Sequence, residues 1–561
     1  MKKNIWNAFF SAAVFALLLF TAVSESPAQY RTDAYAITNA RIVTGNGSVI
    51  EKGTIVVRGG LIAQAGENVT APADARVIDG AGLTIYPGFF DANSNIGIAA
   101  AQRPAGGGGG GGQAAPAPAS QPSNSNYPYG LRPETEASNL ISAADASFET
   151  FRNNGITTAL SVPRDGIFMG ESALLDTAGD SVSAMVIRAP FAQHITFRTL
   201  GGGGVAAAYP ASLMGTFSAL RQMLLDAQRL QEIKKMYAAN PRGIRRPESD
   251  KSLEALIPVL NREMPLVINA NSEREIIRAL DLAKEFNFKL IIAGGMESGK
   301  AVDRIKKQDV PVLLSLNFPK RTASASPEAD PEPMEILRLR AEAPKNAGIL
   351  AAAGVKFAFQ SGGMTSMADF LSNAGKTVEN GLAKDAAIRA MTMSPAEIFG
   401  VADRLGSLET GKIANLVIMR GDIFGKDRAI THVFVDGVMF EQKPPEKPAA
   451  VKPGPGGVAV APLNLTGTWR GSIDAPGNQI DFTLTLAQQG TTLTGTAQSA
   501  FGTSEIKNSE LTADGFRFEI IVSFNGQNQV VSFSGKISGN QMTGQTGSPQ
   551  GSFPFTGTKV P

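Results

Sequence analysis

Two histidines, His194 and His432, and no cysteine are all that the chain offers as soft or borderline metal donors. The lack of cysteine excludes disulfides, iron–sulfur clusters, thiolate zinc sites and cysteine nucleophiles together. Two imidazoles exclude any centre that needs three, and they leave little for histidine acid–base work. What remains is oxygen chemistry. Asp91, Asp165, Glu171 and Glu297 are the carboxylates nearest to expected strand ends. An oxygen-only magnesium or calcium site needs several of them to converge, and their spacing does not demand it. Asn93 and Asn95 follow Asp91 at alternate positions, where they either hold a polar ligand or pair with neighbouring backbone groups. His194 reads as a packing or surface residue rather than a base. Arg242, Arg245 and Arg246 read as a solvated loop. Ser361 precedes Gly362-Gly363 without the flanking pattern of a nucleophile elbow.

The elements that must position these residues change character along the chain. From Asp33 to Asp79, short β-rich runs separated by Gly and Asn turns predict a small antiparallel sheet. From Leu83 to about Arg404, apolar runs alternate with amphipathic helices. The predicted strands are Thr157–Val162, Pro265–Ala270, Lys289–Ala293, Val310–Ser315 and Val355–Phe359. The predicted helices are Glu273–Glu285, Gly299–Gln308 and Met334–Ala353. Near-continuous apolar strands between helices imply a parallel sheet covered on both faces, and a segment of this length suits a (β/α)8 barrel. Leu405 to Glu441 returns to short strands. Lys443–Pro462 is a linker rich in Pro, Lys and Gly. The last hundred residues repeat apolar-Thr-Gly signals and alternate cleanly over Ile480–Leu486, which predicts a small up-and-down β-barrel or sandwich.

Several segments in order carry a family resemblance. Tyr86-Pro87-Gly88-Phe89-Phe90-Asp91-Ala92 resembles the opening barrel strand of the amidohydrolase superfamily, the metal-dependent hydrolases that include imidazolonepropionase-like enzymes. Met393–Gly400 resembles the family's last barrel helix, and Gly406–Val417 its return strand. The resemblance covers roughly Ala34 to Phe440. It implies a TIM-like (β/α)8 barrel over 86–404 and a composite β-sandwich built from 29–85 with 405–442. Outside it lie an expected signal peptide (1–28), the linker (443–462) and an all-β domain (463–561).

The resemblance also implies zinc, a metal-generated hydroxide and hydrolysis of carbon–nitrogen bonds other than peptide bonds. The residues depart from it. The family's His-x-His after the first strand reads Asn93-Ser94-Asn95 here, and amides are poor zinc ligands. Where later histidines stand, this chain has Asn269 and Gly294-Gly295. Where the family has its strand-end aspartate, it has Gln360-Ser361-Gly362-Gly363. The expectation is therefore no metal and no cofactor. Asn93, Asn95, Asn269, Gln360 and Ser361 become candidate ligand-binding residues in the vacated barrel mouth.

Three functions stay open on these grounds: a metal-free barrel that binds a small molecule or partner, an active hydrolase with a different site, and an envelope interaction protein acting through its C-terminal β domain. The chain of 561 residues carries 52 Lys and Arg against 50 Asp and Glu. That balance gives no electrostatic case for nucleic acid. Lys2-Lys3, the apolar run Ala8–Phe20 and the small residues before Ala28 read as a secretory signal. The mature protein is then expected in the periplasm or secreted, without a membrane span and free to form oligomers. The glycine runs Gly106–Gly112 and Gly201–Gly204 lack the spacing and lysine of a phosphate-binding loop, and Pro104–Gln121 is expected to be a mobile loop.

Overall fold

The structure is a computed structural model that describes residues 34–99, 127, 130–199, 210–321, 332–442, 465–475, 478–489, 492–511, 515–524, 527–548 and 551–560. The expected signal peptide, the Pro104–Gln121 loop, both glycine runs and the 443–462 linker lie outside the described residues. Among the described residues no helix is long and apolar enough to cross a membrane.

Strands β1 (Ala34–Val43), β2 (Val49–Arg58) and β3 (Leu61–Gly66) form an antiparallel ladder. Gly59 and Gly60, both at positive φ, make the tight turn from β2 to β3. β4 (Arg76–Asp79) and β5 (Leu83–Pro87) then pair with β1 in parallel. The sheet is thus mixed, where the short β runs predicted an antiparallel one. The long loop 67–75 carries the chain back across the sheet before β4, which a tight turn cannot do. Strands β16 (Leu416–Arg420), β17 (Ala429–Val435) and β18 (Val438–Glu441) extend the same sheet. The junction is the antiparallel pair β5–β16, in register from Leu416↔Pro87 to Arg420↔Leu83. Ile37, Ile42, Ile55 and Ile85 from the N-terminal strands share one core with Leu416, Ile418 and Phe434.

Between these flanks runs the barrel. Its parallel wall comprises β6 (Phe89–Ser94) beside β7 (Ile156–Ser161), and β11 (Gln193–Thr196), β12 (Leu266–Ala270), β13 (Leu290–Gly294), β14 (Val312–Ser315) and β15 (Phe357–Gln360) in order. The strand period is visible in the packing. Leu290 and Ile292 face the core shared with the helices, whereas Ile291 and Ala293 face an inner core with Phe90, Leu160, Val267, Leu313 and Ala358. Gly88 sits where flank meets barrel. A Cβ there would lie 2.1 Å from Thr157 Oγ1, so the Pro-Gly-Phe segment needs glycine for close approach.

The wall is not parallel throughout. β8 (Phe168–Glu171) runs antiparallel to β11, and β9 (Ala173–Asp176) antiparallel to both β7 and β10 (Val186–Arg188). Parallel neighbours need a crossover of a dozen residues or more. The links between strands that pair here, 162–172 from β7 to β9 and 177–185 from β9 to β10, fall short of that length, so this part of the (β/α)8 expectation gives way to antiparallel strands. The expected helix Met334–Ala353 divides into Met334–Glu342, a short 3-10 turn and Asn346–Ala353. Pro344, at the turn, has no N–H to continue the helix.

The C-terminal unit is a nine-stranded antiparallel sheet, β19–β27, spanning Gly467–Lys559. Its edge strands β22 (Gly502–Glu505) and β23 (Lys507–Leu511) are separated by Ile506 alone. The sheet therefore curls almost closed, with Ile506 N donating to Gly495 O at 2.9 Å. Its interior is filled by Trp469, Phe482, Phe518, Phe533, Met542 and Phe555, which leaves a packed core rather than a lumen.

Candidate functional site

The C-terminal ends of the parallel strands open on a cavity of about 240 Å3. Asn93, Asn95, Asn269 and Gln360 all line it, from β6 and the turn after it, β12 and β15. The sequence-derived candidates are thereby brought together, except Ser361, which is not part of the lining. Ser361 contributes its backbone N–H to Asp91 Oδ1 at 2.8 Å. Arg164, Met169, Asn271 and Ser315 also line the mouth and escaped sequence reasoning. Ser315 had a readable signal, since it ends its apolar strand as Asn269 nearly ends its own. Met169 had none, because its place depends on the antiparallel strand β8.

The amides are held by the backbone around them. Asn95 Nδ2 donates to Val162 O at 2.7 Å, and Gln360 Nε2 to Leu313 O at 2.6 Å. Asn269 Nδ2 makes the weaker contact, 3.3 Å to Met169 Sδ. Each of these bonds uses one of the two N–H donors of its amide. Gln360 Oε1 and Asn93 Oδ1 are buried and have no hydrogen-bond partner. Buried polar atoms are paired in the great majority of cases, so two unpartnered oxygens on residues that line one cavity stand out. Arg164 sits at the same mouth, with Nε donating to Ile98 O at 2.9 Å.

Asp91 lies behind this wall, fully buried. Its Oδ1 accepts from Asn93 N at 3.2 Å as well as from Ser361 N, which joins the first barrel strand to the end of the last. Its Oδ2 has no partner. Burial pushes the carboxyl up to about 6, against the two backbone bonds that favour its charged form.

The other carboxylates do not join it. Asp165 is exposed against Arg198 at 3.4 Å. Glu297 pairs with Lys300 and accepts from Glu273 N at 2.9 Å. Glu171 lies beside Gln193 on β8, pushed up to about 7 by burial and by Glu136. Among the described residues no three His, Asp or Glu side chains cluster as a metal site would require. His194 shares a face with Val267 and so looks into the barrel interior. Burial pushes its imidazole down to about 3, which keeps it neutral, and both ring nitrogens are unpartnered. It is not part of the mouth lining. His432 is half-buried on β17, its Nδ1 3.1 Å from Thr431 Oγ1. Arg245 of the basic loop is paired with Glu248 in solvent.

The residues of the mouth do not fit a catalytic zinc. Such a site takes about three strong donors and one open position. Here neutral amides line the cavity, no imidazole does, and the one nearby carboxyl, Asp91, lies behind the wall with burial pushing it up to about 6.

Residues 269–440 match a family model described as "Amidohydrolase family". No curated protein matches the chain. Among solved structures, an amidohydrolase from Thermotoga maritima MSB8 shares 22% identity and covers 73% of this chain and 100% of its own, with a TM-score of 0.59. A Xaa-Pro dipeptidase with bound methionine shares 15% identity over 73% of this chain and 100% of its own, at a TM-score of 0.44. A putative prolidase from Bifidobacterium longum shares 15% over 73% and 95%, at 0.43. The family-model match spans Met393–Gly400 and the return strand Gly406–Val417 and supports the amidohydrolase resemblance, and the Thermotoga maritima structure supports the TIM-barrel fold.

Proposed function

We infer that this member of the amidohydrolase superfamily has given up metal-assisted hydrolysis and retains the barrel mouth as a binding site for a small polar ligand. The observation that carries this reading is the chemistry of the mouth. The positions expected to hold histidines and an aspartate present Asn93, Asn95, Asn269 and Gln360, and two of their oxygens are buried and open. Metal-assisted hydrolysis needs a centre that lowers the pKa of a bound water and polarises the scissile carbonyl. Neutral amides offer weakly basic oxygens that do not retain zinc in competition with imidazole or thiolate sites. A cavity of this size and polarity suits a compact ligand held by hydrogen bonds. The charged, apolar and small-residue order of the first 28 residues supports export to the periplasm or beyond.

The test is metal content and turnover. The purified protein is expected to carry no stoichiometric zinc or manganese by mass spectrometry. It is expected to show no chelator-sensitive hydrolysis of amides, dipeptides or lactones. Asn93→His with Asn95→His is expected not to restore activity, because Asn269, Gly294 and Gln360 still provide no matching ligands. One equivalent of tightly bound zinc, or turnover abolished by a chelator, defeats the reading.

A further inference from the structure

Part of the mouth is a bare glycine turn. Met364 N donates to Ser361 O at 3.2 Å, and the two residues between them, Gly362 and Gly363, have φ of +60° and +76°. Positive φ at both central positions makes a type I′ turn, which glycine adopts without strain. Such a turn uses neither central N–H in its own hydrogen bond. The N–H groups of Gly362 and Gly363 have no partner among the described residues. Asn317 Nδ2 donates to Gly362 O at 3.2 Å and holds the turn in place. A Cβ on Gly363 would meet nothing within 4 Å, so the space beside it is open. Both glycines line the same cavity as Arg164, and among the described residues Arg164 is the one charged side chain of that lining. Its Nε is taken by Ile98 O, its Nη2 makes only a long contact of 3.4 Å to Asn95 O, and its Nη1 is unused. No carboxylate of the described residues pairs with it. Asp165, its neighbour in sequence, pairs with Arg198, and Asp91 is buried behind the wall and outside the lining.

We propose that the barrel mouth binds the carboxylate of a compact organic acid, with the Arg164 guanidinium and the N–H groups of Gly362 and Gly363 as its donors. The proposal rests on the metal-free reading of the mouth and adds the class of ligand. Successive backbone N–H groups in a turn form a concavity suited to anions. A guanidinium adds the opposite charge and further N–H groups in a fixed fork that matches a carboxylate. A protonated amine meets a positive charge here and no carboxylate in the lining to offset it. A dianion such as sulfate finds one positive side chain where it needs two. Asn95 and Asn269 turn their Nδ2 atoms to Val162 O and Met169 Sδ, so their carbonyl ends remain to accept from water or from a hydroxyl of the same acid. The cavity of about 240 Å3 corresponds to roughly eight water volumes, which sets the ligand at an acid of a few carbons rather than a peptide.

Calorimetric titration of the full chain at neutral pH tests this with sodium propionate, propionamide, n-propylammonium chloride and sodium sulfate as probes. Propionate is expected to bind at one site, and the other three are not. Arg164→Met is expected to weaken that binding by about tenfold or more, the effect of losing a charge-assisted hydrogen bond. In magnetic-resonance spectra of protein carrying isotope-labelled glycine, propionate is expected to move the amide signals of Gly362 and Gly363. Those signals decide the matter if Arg164→Met fails to fold, although Arg164 is exposed. Binding of propionamide or n-propylammonium comparable to that of propionate overturns the ligand class, as does binding of sulfate in its place. So does propionate binding that is absent from the wild type, indifferent to Arg164→Met, or without effect on the two glycine signals. These results leave the zinc-free reading standing, whereas bound zinc removes that reading itself.

Discussion

Replacing Asn415 with alanine is expected to cost the folded protein about 3 kcal/mol or more, read as a fall in the denaturant midpoint at unchanged slope. Asn415 is 5% exposed and lies between the flanking sheet and the barrel. Its Nδ2 donates to Asp176 Oδ1 at 2.7 Å and to Thr158 Oγ1 at 3.1 Å, and its Oδ1 accepts from Asp436 N at 2.7 Å. Truncation removes all three bonds at once. It leaves a buried carboxyl with one remaining partner, Thr158 Oγ1 at 3.0 Å, and an unsatisfied backbone N–H. Each group so orphaned costs about 1–3 kcal/mol, more where a charge is involved. The adjoining backbone bond, Gly88 N to Asn415 O at 2.7 Å, survives the substitution, so the effect reports the side chain. A loss below about 1 kcal/mol would show that water or a rearranged Thr158 replaces the amide.

Stability is expected to decline as pH rises from about 5 to 7.5, and Asp176→Asn to remove a large part of that decline. Burial pushes Asp176 up to about 7, although Asn415 and Thr158 both bond its charged form. Asp91 is pushed up to about 6 and Glu171 to about 7. Between the ordinary carboxylate range and these raised values, the folded chain holds protons that the unfolded chain has released. Stability therefore falls with rising pH across that window and is fully present below it. Glu409, held down to about 2 chiefly by Lys412, acts in the opposite sense and only at more acid pH. A tenfold difference in proton affinity between the folded and unfolded chain is worth about 1.4 kcal/mol. Relative to wild type, Asp176→Asn is thus expected to gain about 2–3 kcal/mol between pH 5 and 7.5. Parallel stability curves for the two proteins over that range would show that Asp176 does not carry the decline.

Much of the barrel was legible because its strands are apolar on both faces. Pro265–Ala270, Lys289–Ala293 and Val310–Ser315 stand out as runs that only a doubly covered sheet accommodates, and the strands β12, β13 and β14 fall within them save for Gly294 at the end of β13. The helix Glu273–Phe286 carries a Ser272–Glu275 capping box that marks its start. The antiparallel strands β8 and β9 were not legible. They are four residues each, too short for period to show, and their direction is set by which strands they pair with rather than by composition. The 27-residue helix Leu213–Ala239 was also missed, because its apolar positions form only a weak stripe among charged ones. In the mouth, residue types were readable and their joint placement came from the family resemblance. Which amide oxygens stay open depends on partners such as Leu313 O and Val162 O, and a side-chain sequence carries no sign of those.

The pairing of β5 with β16 joins residues about 330 positions apart. At a synthesis rate of about 5–20 residues per second, β5 waits roughly 15–70 s for its partner to be made. Through that interval, one edge of β5 has unpaired N–H and C=O groups, a template for pairing with another chain. The protein's yield is thus governed by a race between translation and self-association. Slowed translation or a crowded nascent pool should lower soluble yield, even though the finished sheet closes over that edge.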